Sequence, residues 1–179
     1  MRLFLIFFIL IHALHAFEIE HFLMPKDGKK AERTITRDIL GAKKKIDVAM
    51  FMVTNKKLVN ALKERARKGE ITIRLIADKS YDTSHLKNSK VFNLIGHPNI
   101  AVYRLQGLRK KKNPERGILH AKLILIDDKI TYIGSANWTK SAFRSNYEIL
   151  IKITDQATAA LYQSFFDKMQ NLAVPYDLK

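Results

Sequence analysis

The sequence predicts a single α/β domain in which a β-sheet is covered by helices on both faces. Predicted strands alternate with predicted helices over residues 18–172, and the strand predicted at 46–53 has the composition of a buried strand. The 179 residues contain no linker long enough to divide the chain, and this length allows one domain with a proper core.

The elements of the first half follow from apolar periodicity and from helix start and stop signals. Helix 28–40 carries Ala31, Ile35 and Ile39 at helical spacing, and Asn55 can cap the helix that Gly69 ends. The elements predicted here are strands 18–23, 46–53 and 71–76, helices 28–40 and 55–69, and a polar loop over 78–88.

The second half continues the alternation around a predicted β-hairpin. An apolar run ends at Asp127-Asp128-Lys129, which indicates a turn, and residues 130–133 form the returning strand. The last helix has apolar residues at four-residue spacing and stops before Pro175. The other elements predicted here are a short helix near 90–94, strands 100–103 and 147–153, and the helix 155–172.

The N-terminus is typical of a secretory signal peptide. A basic start, Met1-Arg2, precedes an unbroken apolar run over residues 3–11, and Ala13 and Ala16 offer cleavage sites. We therefore predict a signal peptide over residues 1–16 and one domain over residues 17–179. The protein is expected to be exported, to the periplasm or the outer membrane and cell surface. The apolar run is too short to span a bilayer comfortably. An uncleaved anchor, with membrane association through the N-terminus, stays open because Leu14 at the −3 position is not ideal for cleavage.

The charge balance favours polyanionic partners. Lysine and arginine number 32 against 17 acidic residues, which gives a formal charge of +15 and a pI near 10.0. Such a balance suits nucleic acid first and an anionic membrane second. The chain has no cysteine, so it has neither a disulfide nor a thiolate metal site.

The most informative residues lie in the predicted hairpin. His120 and Lys122 are two residues apart in an otherwise apolar run, so they share one face of a strand. Folding the hairpin about its turn sets residue 120 opposite 136 and residue 122 opposite 134. Ser135 and Asn137 then arrive beside His120 and Lys122, and Lys122, Ser135 and Asn137 can bind a phosphate through charge and hydrogen-bond donors.

These residues resemble the signature of the phospholipase D superfamily, H-x-K-x4-D followed by G-S-x-N, which is complete over residues 120–137. In size and layout the chain resembles the small, secreted, single-motif bacterial endonucleases of the Nuc or NucT type, over residues 18–173. The resemblance implies a layered α/β/α domain with a mixed sheet. It also implies a site that includes Glu148, a carboxylate that hydrogen-bonds the catalytic histidine. The catalytic set is then His120, Lys122, Asn137, Glu148 and Asp127.

Asp127 has a different expected role from the rest of this set. It has the opposite strand parity to His120, so we expect it to hold the hairpin rather than to touch substrate. A divalent-metal site made by His120, Asp127 and Asp128 is the alternative for these carboxylates. The different parities and the repulsion of a cation by Lys122 disfavour it, and neither a metal nor another cofactor is expected.

Only one copy of the motif is present, whereas enzymes of this superfamily use two histidines. His85-Leu86-Lys87 begins like a second copy, but residue 92 is phenylalanine rather than aspartate. A two-fold homodimer would bring the His120 of both protomers into one site. One His120 would then attack phosphorus to form a phosphohistidine, and the other would protonate the leaving oxygen.

Three functions compete for this site. The first is a secreted, metal-independent, nonspecific endonuclease acting on DNA, single-stranded in particular, and on RNA. The alternatives are a lipid phosphodiesterase at the membrane and a non-catalytic nucleic-acid-binding module. A basic segment just before the motif favours the first, because each basic residue adds sequence-independent affinity for the phosphate backbone. Its residues are Arg104, Arg109, Lys110, Lys111, Lys112 and Arg116.

Overall fold

The computed structural model describes residues 17–84, 87–109 and 116–176. The signal peptide predicted at 1–16, His85 and the basic residues 110–112 lie outside the described residues. The strands are β1 (Glu18–Met24), β2 (Lys45–Met50), β3 (Thr72–Asp78), β4 (Ile100–Leu105), β5 (Lys122–Ile126), β6 (Ile130–Gly134), β7 (Glu148–Thr154) and β8 (Val174–Pro175). The helices are α1 (Gly28–Gly41), α2 (Lys56–Arg67), α3 (Lys79–Ser84), α4 (Lys140–Arg144) and α5 (Gln156–Leu172), with a short 3-10 helix at Val91–Leu94.

The described strands form one mixed sheet in the order β1-β7-β6-β5-β2-β3-β4-β8. Strands β2, β3 and β4 are parallel, as expected for strands joined through helices. Strands β5, β6, β7 and β1 are antiparallel neighbours, and β5 joins the two halves by pairing antiparallel with β2. The hairpin of β5 and β6 is therefore central in the sheet.

Side chains from the two faces of the sheet enter two separate apolar clusters. On β2, Ile46 and Val48 pack against α1 and α2, whereas Ala49 lies in the cluster under α5 with Phe166 and Met169. This alternation is the period-2 pattern of a strand that is buried on both faces. The prediction of a sheet covered by helices on both faces, and of the layered mixed-sheet domain, is thus confirmed.

Three short elements differ from the sequence-based prediction. The segment predicted as a loop at 78–88 begins with the last residue of β3 and continues as α3, because the Asp78 carboxylate accepts a hydrogen bond from the Tyr81 amide at 2.8 Å. Helix α4 begins where the Thr139 hydroxyl accepts from the Ala142 amide. Pro175 does follow the last helix, but it lies in β8, a two-residue strand at the edge of the sheet.

No helix within the described residues is both long enough and apolar enough to cross a lipid bilayer.

Candidate active site

The hairpin has the register that the sequence predicted. Leu123 pairs with Ile133 and Ile126 with Ile130, and carrying this register one residue on sets Lys122 opposite Gly134. Strand β5 begins at Lys122, so His120 lies two residues before the regular strand. The motif residues therefore meet at the end of the central hairpin where β5 begins and β6 ends.

Asp127 holds the opposite end of the hairpin. Its carboxylate accepts hydrogen bonds from the backbone amides of Lys43, Lys44 and Lys45, at 2.6, 2.7 and 3.1 Å. Asp127 and Asp128 both have positive φ, 52° and 56°. These are the backbone angles of the tight two-residue turn that is favoured between the strands of a β-hairpin. The whole of β5 separates Asp127 from His120, a span of about 20 Å, and the hydrogen bonds of the Asp127 carboxylate join the hairpin to the start of β2.

This arrangement predicts a difference between the two turn aspartates. Asp127→Asn is expected to lower the free energy of unfolding by about 2 kcal/mol, since its NH2 group would face amide donors that a carboxylate now satisfies. Asp128→Asn is the matched control, because exposed Asp128 makes only an ion pair with Lys45, worth at most about 1 kcal/mol. Denaturant unfolding measures both. Equal losses would contradict this role for Asp127.

His120 and Lys122 meet around one aromatic ring. The His120 side chain is exposed and Lys122 is buried, with its Nζ donating to the His120 carbonyl at 2.7 Å. The ring centroids of Phe51 and His120 are 5.1 Å apart, and Lys122 Nζ lies 5.3 Å from the same Phe51 centroid. The imidazole and the ammonium group are therefore held side by side, as the shared strand face predicted.

The segment that carries His120, just before β5, is anchored on its N-terminal side by a buried carboxylate. Asp78, at the end of β3, accepts a hydrogen bond from the Leu119 amide at 2.7 Å and is fully buried. On the other side, the Phe51 amide donates to the Ala121 carbonyl at 3.2 Å. His120 thus lies between two fixed backbone positions, which limits the movement of its backbone.

The turn that follows β6 presents the amide of Asn137. The backbone amide of Met52 donates to Asn137 Oδ1 at 3.2 Å, which leaves the Nδ2 group as the free donor end. Trp138, the next residue, is buried in the core and pairs with Val53. At Gly134, a Cβ atom would lie 2.1 Å from the Ile149 carbonyl oxygen, so only glycine allows β7 to approach this closely.

Glu148 lies at the start of β7 and binds the same turn. Its carboxylate accepts hydrogen bonds from the Ser135 hydroxyl and from Asn146 Nδ2, the latter at 3.2 Å. Among the described hydrogen bonds none joins Glu148 to His120 of the same chain. Burial lowers the pKa of Lys122, while the Glu148 carboxylate favours its charged form. Glu148 therefore contributes negative charge close to Lys122.

The described site thus combines an exposed imidazole, a buried ammonium, an amide donor and a carboxylate. A family model described as "Cardiolipin synthase, PLD-like domain" matches residues 35–170, which is most of the chain and includes every motif residue. The chain belongs to the phospholipase D-like family.

The proteins similar to this phospholipase D-like chain include solved structures named NucT and Nuc and curated relatives named mitochondrial cardiolipin hydrolase. The structure of NucT from Helicobacter pylori has 33% identity and a TM-score of 0.85, over 90% of this chain and 100% of that one. Nuc from Salmonella typhimurium has 19% identity, a TM-score of 0.73 and coverage of 90% and 99%, and supports the fold. A mitochondrial cardiolipin hydrolase from Chlamydomonas reinhardtii is 28% identical over 75% of this chain and 56% of its own length.

These comparisons confirm the resemblance to the superfamily and to its Nuc-type members. The chain spans about half the length of the curated relatives that it matches. The activity and substrate of this phospholipase D-like protein must therefore be inferred from its own residues.

The predicted basic segment is only partly described. Arg109 and Arg116 are exposed and face each other in an isolated β-bridge, at the base of the segment that contains Lys110 to Lys112. The guanidinium carbon of Arg104 lies 4.2 Å from the centroid of the Tyr176 ring. That cation–π contact holds Arg104 against the C-terminal end of the chain.

Two apolar surfaces flank the phospholipase D-like site. An apolar groove of about 350 Å³ lies beside His120, and its lining includes Leu105, Leu108, Ile118 and Phe165. The second surface, named here the β1–β7 patch, lies beside Ser135 and Glu148. It consists of exposed residues on one face of the sheet, namely Phe17, Ile19, Leu23, Tyr147 and Ile149.

Two contributors to the site were missed by sequence reasoning. Phe51 belonged to a predicted buried strand, and nothing in that apolar run distinguishes it from a core residue. Asp78 falls within the predicted polar loop at 78–88. An aspartate that directly follows an apolar strand is nevertheless typical of a residue that caps a helix or anchors a neighbouring segment. Phe51 acts through the contacts of its ring, and Asp78 acts through the hydrogen bond from the Leu119 amide. In both cases the partners are distant in sequence.

Proposed function

We propose that the chain is an exported, metal-independent endonuclease that cleaves DNA, single-stranded DNA in particular, and RNA. The observation that carries the proposal is the grouping of His120, Lys122 and Asn137 at one end of the central hairpin, in a chain of charge +15. The similarity to NucT over nearly the whole chain supports a nucleic-acid substrate. Residues 1–16 direct export to the periplasm or the cell surface, as a cleaved signal or a retained membrane anchor.

The proposed reaction is a two-step displacement at phosphorus. An imidazole nitrogen of His120 attacks the phosphodiester, a phosphorus–nitrogen bond forms, and the leaving oxygen takes a proton from a second His120. That second imidazole then removes a proton from water, which attacks phosphorus and releases His120. Lys122 and Asn137 bind the phosphoryl oxygens and stabilise their charge throughout. Ser135 joins them when its hydroxyl proton turns from Glu148 to the substrate.

A second copy of the chain supplies the second histidine in this proposal. In a two-fold dimer each residue near the axis lies close to its own copy, which pairs His120 with His120. The β1–β7 patch supports a protein partner at this place, since exposed Leu23, Tyr147 and Ile149 border Ser135 and Glu148. Within the patch, Leu23 and Ile149 are directly paired across β1 and β7.

The role of Glu148 belongs to the same proposal. A carboxylate that hydrogen-bonds an imidazole fixes its orientation and stabilises its charged form. Within one chain Glu148 binds Ser135 and Asn146, so it also shapes the turn that carries Asn137. We assign to Glu148 the orientation of a catalytic imidazole, in addition to this contact with the turn.

The decisive test uses circular single-stranded DNA and the purified mature protein. In excess EDTA the protein is expected to linearise the circles at the same rate as with Mg²⁺, because Lys122 and Asn137 supply the charge stabilisation. Gel electrophoresis resolves circles from linear products. Cleavage that requires an added divalent ion would contradict the metal-independent reaction, and the absence of cleavage under both conditions would contradict the nuclease.

One observation favours lipid phosphodiesters as a second candidate substrate. The apolar groove reaches His120 and could bury the apolar part of a phospholipid, and several relatives are named cardiolipin hydrolases. Vesicles that contain cardiolipin, assayed for phosphatidate release beside the circular DNA, separate the two candidates. Turnover of vesicles without turnover of DNA would transfer the proposal to the lipid.

A further inference from the structure

Phe51 contacts both the imidazole of His120 and the ammonium group of Lys122. Its ring centroid lies 5.1 Å from that of His120, with an angle of 54° between the planes, and 5.3 Å from Lys122 Nζ. The first contact is a tilted aromatic pair and the second has the distance of a cation–π interaction. A single side chain, one residue after the end of β2, therefore touches the nucleophile and the phosphate-binding charge.

The ring of Phe51 is itself held in place. The Phe51 amide donates to the Ala121 carbonyl, which sets the ring between His120 and Lys122 along the chain. Its far side contacts the ring of Tyr81, with centroids 5.4 Å apart. Tyr81 in turn is fixed by the hydrogen bond from its amide to Asp78, the buried carboxylate that also binds Leu119.

We propose that Phe51 is a positioning residue that sets the orientation of the His120 imidazole relative to the Lys122 ammonium. The inference rests on the proposed phosphodiesterase function and adds a residue that the signature does not contain. His120 is exposed, and its side chain has no hydrogen bond to another described residue, so the aromatic contact is what restrains its ring. A nucleophile that is misplaced by about 1 Å can lose roughly 100-fold in rate.

The ring also has a consequence for Lys122. Burial lowers the pKa of Lys122, and the Phe51 ring is one of the apolar groups beside its ammonium. A ring face attracts the cation without accepting a proton, so Lys122 stays beside His120 and keeps for phosphate the donors that it does not give to the His120 carbonyl. An aliphatic side chain of similar volume would bury the ammonium without this attraction.

The test compares variants of the full mature chain with a small chromogenic phosphodiester, bis(p-nitrophenyl) phosphate, which avoids effects of DNA affinity. Phe51→Ala is expected to lower kcat by about 10- to 100-fold and to leave KM within about threefold of wild type. Phe51→Tyr keeps the ring and should retain most of the rate, whereas Phe51→Leu should resemble Phe51→Ala. Phe92→Ala, which removes a half-buried ring that packs on Tyr176 at 5.3 Å, is the matched control and should keep kcat.

Each outcome decides the inference. A raised KM with unchanged kcat, full activity of Phe51→Leu, or an equal loss in Phe92→Ala at matched melting temperature would overturn it. If wild type is active and Phe51→Ala equals it, the inference alone fails. If wild type cleaves neither this diester nor DNA nor lipid, the proposed function fails and the inference falls with it.

Discussion

His120→Ala is expected to abolish cleavage of circular single-stranded DNA while leaving DNA binding almost unchanged. Loss of a nucleophile that acts as one unit with its partners typically costs several orders of magnitude in kcat, and here we expect at least about 10⁴-fold. Binding should persist because it arises from many lysine and arginine contacts to phosphate rather than from one imidazole. The exposed position of His120 also predicts an unchanged fold.

The measurement combines single-turnover cleavage with fluorescence anisotropy of a labelled oligonucleotide. His97→Ala is the matched control, since His97 lies in the turn before β4 and outside the site. It should cleave at the wild-type rate. Retained turnover in His120→Ala, or loss of binding in step with activity, would remove His120 from the role of nucleophile.

Ile149→Arg is expected to produce a folded monomer that has lost nearly all activity. Ile149 is 54% exposed at the centre of the β1–β7 patch, beside Leu23 at 56%. An arginine is tolerated there when the surface faces water, but in a dimer its charge would be buried without a partner. With no second His120, the leaving oxygen has no proton donor and turnover should fall by about 100-fold or more.

Sedimentation velocity and DNA cleavage on the same sample test this expectation. Val174→Arg is the matched control, because Val174 is a 48% exposed apolar residue on β8, at the opposite edge of the sheet. It should remain dimeric and active. A monomeric Ile149→Arg protein with full activity would show that one chain is sufficient for catalysis.

The signature residues were predictable because their positions depend on strand parity and on a tight turn. His120 and Lys122 are two residues apart, and Asp127 and Asp128 adopt the positive φ that a short hairpin turn needs, so the register followed from spacing alone. The same reasoning assigned the long amphipathic helices, whose apolar faces repeat over several turns.

Elements that depend on one distant contact were not predictable. Helix α3 and the anchoring of Leu119 both depend on where the Asp78 carboxylate lies in the fold. The stacking of Arg104 on Tyr176 depends on the return of the C-terminal segment to β4. The contacts of Glu148 with Ser135 and Asn146 require the exact register of β7 against β6. Such contacts leave no periodic trace in the sequence.

Because of the three hydrogen bonds to Asp127, substitutions at two positions of the same signature have different effects. At position 127 they lower the amount of folded protein, and at position 120 they lower the rate of the reaction. Because this carboxylate fastens the hairpin to the start of β2, a substitution at 127 increases the unfolded fraction, on which cellular proteases and chaperones act. A substitution at 120 leaves the amount of protein intact. In a population of variants selected for function, losses at position 127 would therefore depend on temperature and expression level, whereas losses at position 120 would not.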